Sequence, residues 1–237
     1  MKSVLVEKIL STEILSIGDI FTDKGKIYTF LNPVSYLTAL DDKILFSQFD
    51  GIFADGSILA AAIKLLYGQK VTRRSFDMTS LAPELLAYAE TNDKSVYIVA
   101  SRQEQVEKAV GIFKERYPKL TIAGFRNGYF SSEEEQYEEA RRISQLSPDF
   151  LIVGMGALMQ ERFLLKVKDA GYSGIGFTCG GFIHQTAKDE IDYYPAWADR
   201  LNLRFVYRML KEKHTRKRYA QAALLFPARF IAERFFG

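Results

Sequence analysis

Short apolar runs bounded by turn residues alternate along most of the chain with apolar positions spaced three and four apart. The runs predict strands and the spaced positions predict amphipathic helices. Ile27 to Leu31 reads as a strand ending at Asn32-Pro33. Pro33 suits a first helical turn, and Val34, Leu37 and Leu40 carry the helix on. Ile44 to Phe46 reads as a strand leading through Phe49 and Phe53 to Asp55-Gly56. Ile58, Leu59, Ala62, Ile63 and Leu66 then fall on one helical face, closed by Gly68. Thr79 or Ser80 caps the next helix, with Pro83 and Glu84 in its first turn. Ser95 to Ala100 is a strand, and Gln103 to Tyr117 a helix with Val106, Ala109, Val110 and Phe113 inward. Leu120 to Phe125 is a strand. Ser132 and Glu135 have capping-box spacing for a helix ending near Leu146. Asp149 to Met155 is a buried strand, Gln160 to Ala170 a helix, and Gly174 to Thr178 a strand. At the front, Ser3 to Leu10 is expected to be an edge strand.

Repeated strand–helix alternation argues an α/β, Rossmann-like parallel sheet with helices on both faces. From Pro195 onwards only helical pattern remains. The expected division is a core over residues 1–195 and a basic helical C-terminal appendage over 196–237. The chain has 237 residues, 48% of them hydrophobic, enough for one sizeable core. Its one cysteine, Cys179, excludes an internal disulfide and fits a reducing cytoplasm. The first ten residues mix Lys2, Glu7 and Lys8 into their apolar run, unlike a secretory signal. No apolar stretch reaches the ~20 residues of a membrane-spanning helix.

The net charge of +3 hides an asymmetry. Ten Lys or Arg and only two Asp or Glu fall between Arg200 and Gly237, so the remainder is slightly acidic. A basic tail carrying Leu224, Leu225, Phe226, Phe230, Ile231, Phe235 and Phe236 suits an anionic membrane surface. Packing of that segment on the core or on another subunit is the alternative. The acidic body and the lack of a binding motif argue against nucleic acid as a partner.

Candidate chemistry gathers at predicted strand ends. Turns with glycine fall at Asp55-Gly56, Asn127-Gly128-Tyr129, Gly154-Met155-Gly156 and Gly180-Gly181, on the sheet edge where open α/β folds bind ligands. Gly154-x-Gly156 lacks the third glycine of a dinucleotide fingerprint, and no Walker lysine follows a glycine loop. Asp55 is the candidate general base, and a helix cap is its other reading. Asn32 is open to the same two readings. Arg73 and Arg74 could clamp a phosphate or lie in solvent. Glu161, after Gln160, could serve a ligand or complement a helix dipole. His184 and His214 are the only histidines and are far apart, so no metal site is expected.

In this order and spacing, the motifs resemble the WecG/TagA/CpsF family of bacterial glycosyltransferases, from about Leu31 to Arg218. The residues that carry the resemblance are Asn32, Asp55-Gly56, the arginines before Asp77, Gly128-Tyr129-Phe130, Gly154-Met155-Gly156 with Gln160-Glu161, Gly180-Gly181, and Pro195-Ala196-Trp197 leading to Arg204 and Tyr207-Arg208. The resemblance implies an inverting, metal-independent enzyme without a cofactor, moving a hexose or N-acetylhexosamine from a UDP-sugar. The acceptor would be a polyprenyl-diphosphate-linked saccharide in surface polysaccharide synthesis. It implies Asp55 as base with Asn32 beside it, and a donor site using Arg73 or Arg74, Gly128, Tyr129, Gly154, Gly156, Gln160, Glu161 and Gly181. Arg208, Arg216 and Arg218 would approach the diphosphates. The enzyme would sit in the cytoplasm, peripheral to the inner face of the membrane, with a homo-oligomer left open. The chain departs from the family at Leu158-Met159, where a proline-containing pair is usual. A non-catalytic nucleotide-binding module is the alternative reading.

Overall fold

A computed structural model describes residues 3–189, 204–211 and 216–236. Six parallel strands form one sheet: β1 (Ile27–Leu31), β2 (Gly51–Ala54), β3 (Ser95–Ala100), β4 (Thr121–Arg126), β5 (Phe150–Gly154) and β6 (Ile175–Thr178). Their order across the sheet is β2-β1-β6-β5-β3-β4. Strands β2, β5 and β6 are buried at every position, as expected where helices cover both faces. The edge strand β4 is exposed or half-buried throughout.

Ten helices accompany the strands up to residue 189: α1 (Val4–Glu13), α2 (Ile17–Thr22), α3 (Pro33–Asp41), α4 (Lys43–Ser47), α5 (Ser57–Tyr67), α6 (Leu81–Thr91), α7 (Gln103–Arg116), α8 (Glu133–Leu146), α9 (Met159–Asp169) and α10 (Phe182–Asp189). One apolar cluster holds residues of α1, α3, α4, α5, α8 and α9, and a second holds α2, α6, α7 and α10. The sheet therefore lies between two helical layers. Beyond them come helix Arg204–Lys211 and a C-terminal helix, Arg216–Phe236, which contains Pro227.

Two expected strands are helices. Ser3 to Leu10 lies in α1, where the Ser3 side chain accepts from the Leu5 amide and Leu5, Val6 and Ile9 are buried. That burial has helical spacing. The Thr12 hydroxyl of α1 also accepts the Ile52 amide at 2.9 Å, so this helix covers the edge strand β2. Ile44 to Phe46 lies in α4, capped by Asp42, with Ile44 outside and Leu45 and Phe46 inside. The strand leading to Asp55 begins at Gly51.

The C-terminal helix buries Ala222, Phe226, Phe230 and Glu233 on one face. Phe226 and Phe230 meet the Tyr36 ring edge-on at 5.7 and 5.2 Å, so these two expected membrane-facing aromatics are core residues. Glu233 accepts from Tyr36 Oη at 2.7 Å and from Ser3 Oγ, with Lys43 Nζ at 3.1 Å. Leu224, Leu225, Ile231, Phe235 and Phe236 are exposed. Among the described residues, no helix is long and apolar enough to cross a membrane. The expected domain boundary near residue 195 and Pro195-Ala196-Trp197 lie outside the described residues.

Candidate active site

The chain leaves β3 outward for β4 but leaves β5 in the opposite direction for β6, and β3 and β5 are neighbours. A reversal of this kind opens a crevice beyond the carboxyl ends of the two strands. A cleft of about 1340 Å³ extends from that crevice past the ends of β6, β1 and β2 to the C-terminal helix. An ordinary small-molecule site holds ~300–1,000 Å³, so there is room for two substrates.

On the β1–β2 side stand Asn32, Asp55 and Arg73. Asn32 follows β1 and caps α3. Its Oδ1 accepts from the Val34 and Ser35 amides at 3.0 and 3.1 Å, and its NH2 group takes no part in that cap. Asp55 follows β2, half-buried, its amide bonded to Leu31 O at 2.8 Å. Gly56 makes the turn into α5 at φ 96, a backbone that side-chain-bearing residues rarely adopt. Arg73 donates to Ser75 Oγ at 2.8 Å and pairs with Asp77 at 3.7 Å. Arg74 turns elsewhere. Its guanidinium reaches Leu15 O at 3.4 Å and lies over the Phe53 ring. Of the two arginines, only Arg73 lines the cleft.

On the β3–β4 side are Gly128 and Tyr129, the latter 65% exposed. The floor carries Gly154, Gly156, Gln160 and Gly181. At Gly154 a Cβ would stand 2.7 Å from Cys179 Sγ and 2.9 Å from Gly180 O, so only glycine lets these two loops close up. Cys179 is buried, and burial pushes its thiol up to about 12, so it is no nucleophile here.

Glu161 lies beneath the floor, 1% exposed. Its Oε1 accepts from Thr29 Oγ1 at 3.0 Å and Gln160 Nε2 at 2.8 Å, and its Oε2 from the Leu158 amide at 2.7 Å. Burial raises its carboxyl above the ordinary range, against the pull of those donors. Arg218, on the C-terminal helix, lines the cleft from the far side. Arg216 does not. It donates to Met209 O at 2.8 Å and Leu210 O at 3.4 Å, tying the last two helices together. The side chain of Arg208 lies outside the described residues.

For several lining residues no sequence signal pointed to the cleft: Ser101, Arg102 and Gln105 around the start of α7, His184 on α10, and the exposed Ile58 and Met159. Ile58 was expected inward, but as the second residue of α5 it sits at the cleft mouth. A basic charge three residues from a glutamine at a helix start is unremarkable in sequence. Only the strand order shows that β3 ends at the crevice. Among the described residues, no group of three His, Cys, Asp or Glu could hold a metal ion.

Arg73, Arg102, Arg218 and the carboxylate of Asp55 line one cleft at the carboxyl edge of a doubly wound α/β sheet, the edge where such folds bind ligands. The sequence profile described as "Glycosyl transferase WecG/TagA/CpsF family" matches residues 10–237. The chain belongs to that family and is a glycosyltransferase. It is 36% identical over 208 residues to the Shigella boydii "UDP-Gal:alpha-D-GlcNAc-diphosphoundecaprenol beta-1,4-galactosyltransferase", covering 87% of this chain and 86% of that one. It is 23% identical over 190 residues to the Bacillus subtilis (strain 168) "N-acetylglucosaminyldiphosphoundecaprenol N-acetyl-beta-D-mannosaminyltransferase", covering 78% and 72%. A Staphylococcus aureus (strain MW2) protein of the same name is 29% identical over 170 residues, covering 71% and 64%.

Proposed function

We propose that this protein transfers a hexose, galactose first among the candidates, from its UDP derivative to a hydroxyl of a saccharide on a polyprenyl diphosphate, with inversion. The observation that carries the proposal is the convergence of Asp55, Arg73 and Arg218 on one cleft at the carboxyl edge of the sheet. The similarity to the Shigella galactosyltransferase supports the choice of donor and acceptor class.

In this mechanism Asp55 accepts the proton of the acceptor hydroxyl. The oxygen attacks the anomeric carbon as the bond from that carbon to the diphosphate oxygen breaks. UDP leaves with the bonding electrons, and its charge needs a positive partner in place beforehand. Arg73 and the amides of the Gly154–Gly156 and Gly180–Gly181 loops supply it on the donor side. The NH2 group of Asn32 orients the acceptor. One base without a second acid suits a diphosphate leaving group, which departs unprotonated. Gly128 and Tyr129 border the donor's nucleoside. Arg218, with Arg208 and Arg216 nearby in sequence, receives the acceptor's diphosphate. The exposed apolar residues of the C-terminal helix and its basic start hold the enzyme on the inner face of the membrane.

The test is incubation of the protein with UDP-galactose and an N-acetylglucosaminyl-diphosphoprenyl acceptor in anionic liposomes. Release of UDP with a β-linked disaccharide product is expected. UDP binding without consumption of any UDP-sugar would favour a non-catalytic nucleotide-binding module.

A further inference from the structure

We infer that Glu161 is a positioning residue: it fixes the direction of a hydrogen-bond chain that locks the β5–α9 and β6–α10 loops under the donor. The inference rests on the proposed transferase reading and deepens it, because Glu161 itself lies below the cleft and touches no ligand.

The chain can be followed donor by donor. Gln160 Nε2 donates to Glu161, which turns Gln160 Oε1 toward the Gly180 amide at 3.1 Å. Thr29 donates its one hydroxyl proton to Glu161 at 3.0 Å. Thr178, 2.8 Å from Thr29, must then donate to it. The second carboxylate oxygen accepts the Leu158 amide. Leu158 stands at φ 70 and ψ −45, a conformation that costs a branched residue energy and persists only when its surroundings enforce it. Directly or through Thr29 and Gln160, one side chain therefore ties the middle of β1 and the end of β6 to both glycine loops.

Chain direction makes the claim specific. Both Glu161 oxygens must accept. An amide side chain at this position has only one acceptor. If that acceptor meets Leu158, its NH2 group faces the NH2 of Gln160. If Gln160 then turns over, its own NH2 faces the Gly180 N–H. Every arrangement sets donor against donor in a buried place, where an unsatisfied group is costly. Exchanging the two side chains removes the conflict. The carboxylate, moved one position back, would accept from its new amide neighbour and from the Gly180 N–H. The amide, moved one position forward, would accept from Leu158 through its oxygen and donate to Thr29 through its NH2 group.

The experiment measures melting temperature and UDP affinity for the wild type, E161Q, Q160E and the exchanged pair Q160E/E161Q, with KM for the acceptor in the active forms. We expect both single variants to melt earlier and the exchanged pair to regain most of the loss. We expect E161Q to weaken UDP binding about tenfold or more, with the acceptor KM within about twofold. An exchanged pair that melts no later than E161Q would overturn the chain. A destabilised E161Q with unchanged UDP affinity would overturn the positioning role and leave Glu161 a fold residue. Melting and UDP binding need no turnover. A wild type that binds UDP but consumes no UDP-sugar would count against the transferase reading alone.

Discussion

Glu161 and Glu233 are both buried carboxylates met by three donors, yet their settings differ. Glu161 meets two side chains and a backbone amide, all uncharged. Glu233 meets two hydroxyls and the Lys43 ammonium, which is 39% exposed. The first joins segments within the parallel core. The second fastens the C-terminal helix to α1, α3 and α4. A buried acid without a cation is held up in pKa by desolvation, and Glu161 shows that shift. One glutamate holds the loops at the floor of the cleft, and the other fastens the basic helix beside it.

Truncation separates them. Glu161→Ala takes the acceptor from Gln160 and from the Leu158 amide, while Thr29 can turn its hydroxyl to Thr178. Stability is expected to fall by ~3 kcal/mol, with weakened UDP binding, in a denaturant titration run with and without UDP. Glu233→Ala leaves the Tyr36 hydroxyl without its acceptor but lets Lys43 turn to water, so ~2 kcal/mol is expected. Its signature is faster tryptic release of the C-terminal helix and a raised acceptor KM, with UDP affinity kept within about twofold. Equal loss of UDP affinity in the two variants would erase the distinction.

A smaller effect follows from pH. Folded Glu161 keeps its proton to higher pH than in the unfolded chain, where the ordinary value is 4.5. The native state thus binds more protons, and stability from this group falls as pH rises from about 4.5 toward the raised value. The gap in melting temperature between wild type and Glu161→Ala should narrow between pH 4 and 7. A widening gap would mean that the donors around Glu161 outweigh its burial. Glu135 runs the other way. The Ser131 hydroxyl and amide, with Arg126, hold it down at about 2, so its contribution is lost in acid.

These contrasts also show what single-sequence reasoning can reach. The parallel α/β alternation was legible because each run carried its own period and its own turn. Two segments were misread for a physical reason. Val4, Leu5, Val6 and Ile44, Leu45, Phe46 are apolar runs too short for period alone to tell strand from helix. The helical spacing of Leu5, Val6 and Ile9, and the caps Ser3 and Asp42, were the available signals. Asn32, Asp55 and Gly154 could be proposed because a strand end is a local feature. The place of Glu161 under the floor depends on Thr29, 132 positions away. Arg74 and Arg73 are indistinguishable until the loop is folded. Arg102, Gln105 and His184 come to the cleft only through the strand order.

The most direct test of the account is turnover by Asp55→Asn, an isosteric change that removes the proton acceptor. Transfer from UDP-galactose should fall by a factor of ~10²–10⁴, while melting temperature and UDP affinity stay close to wild type. Undiminished transfer by that variant would contradict the assignment of the base and the mechanism built on it.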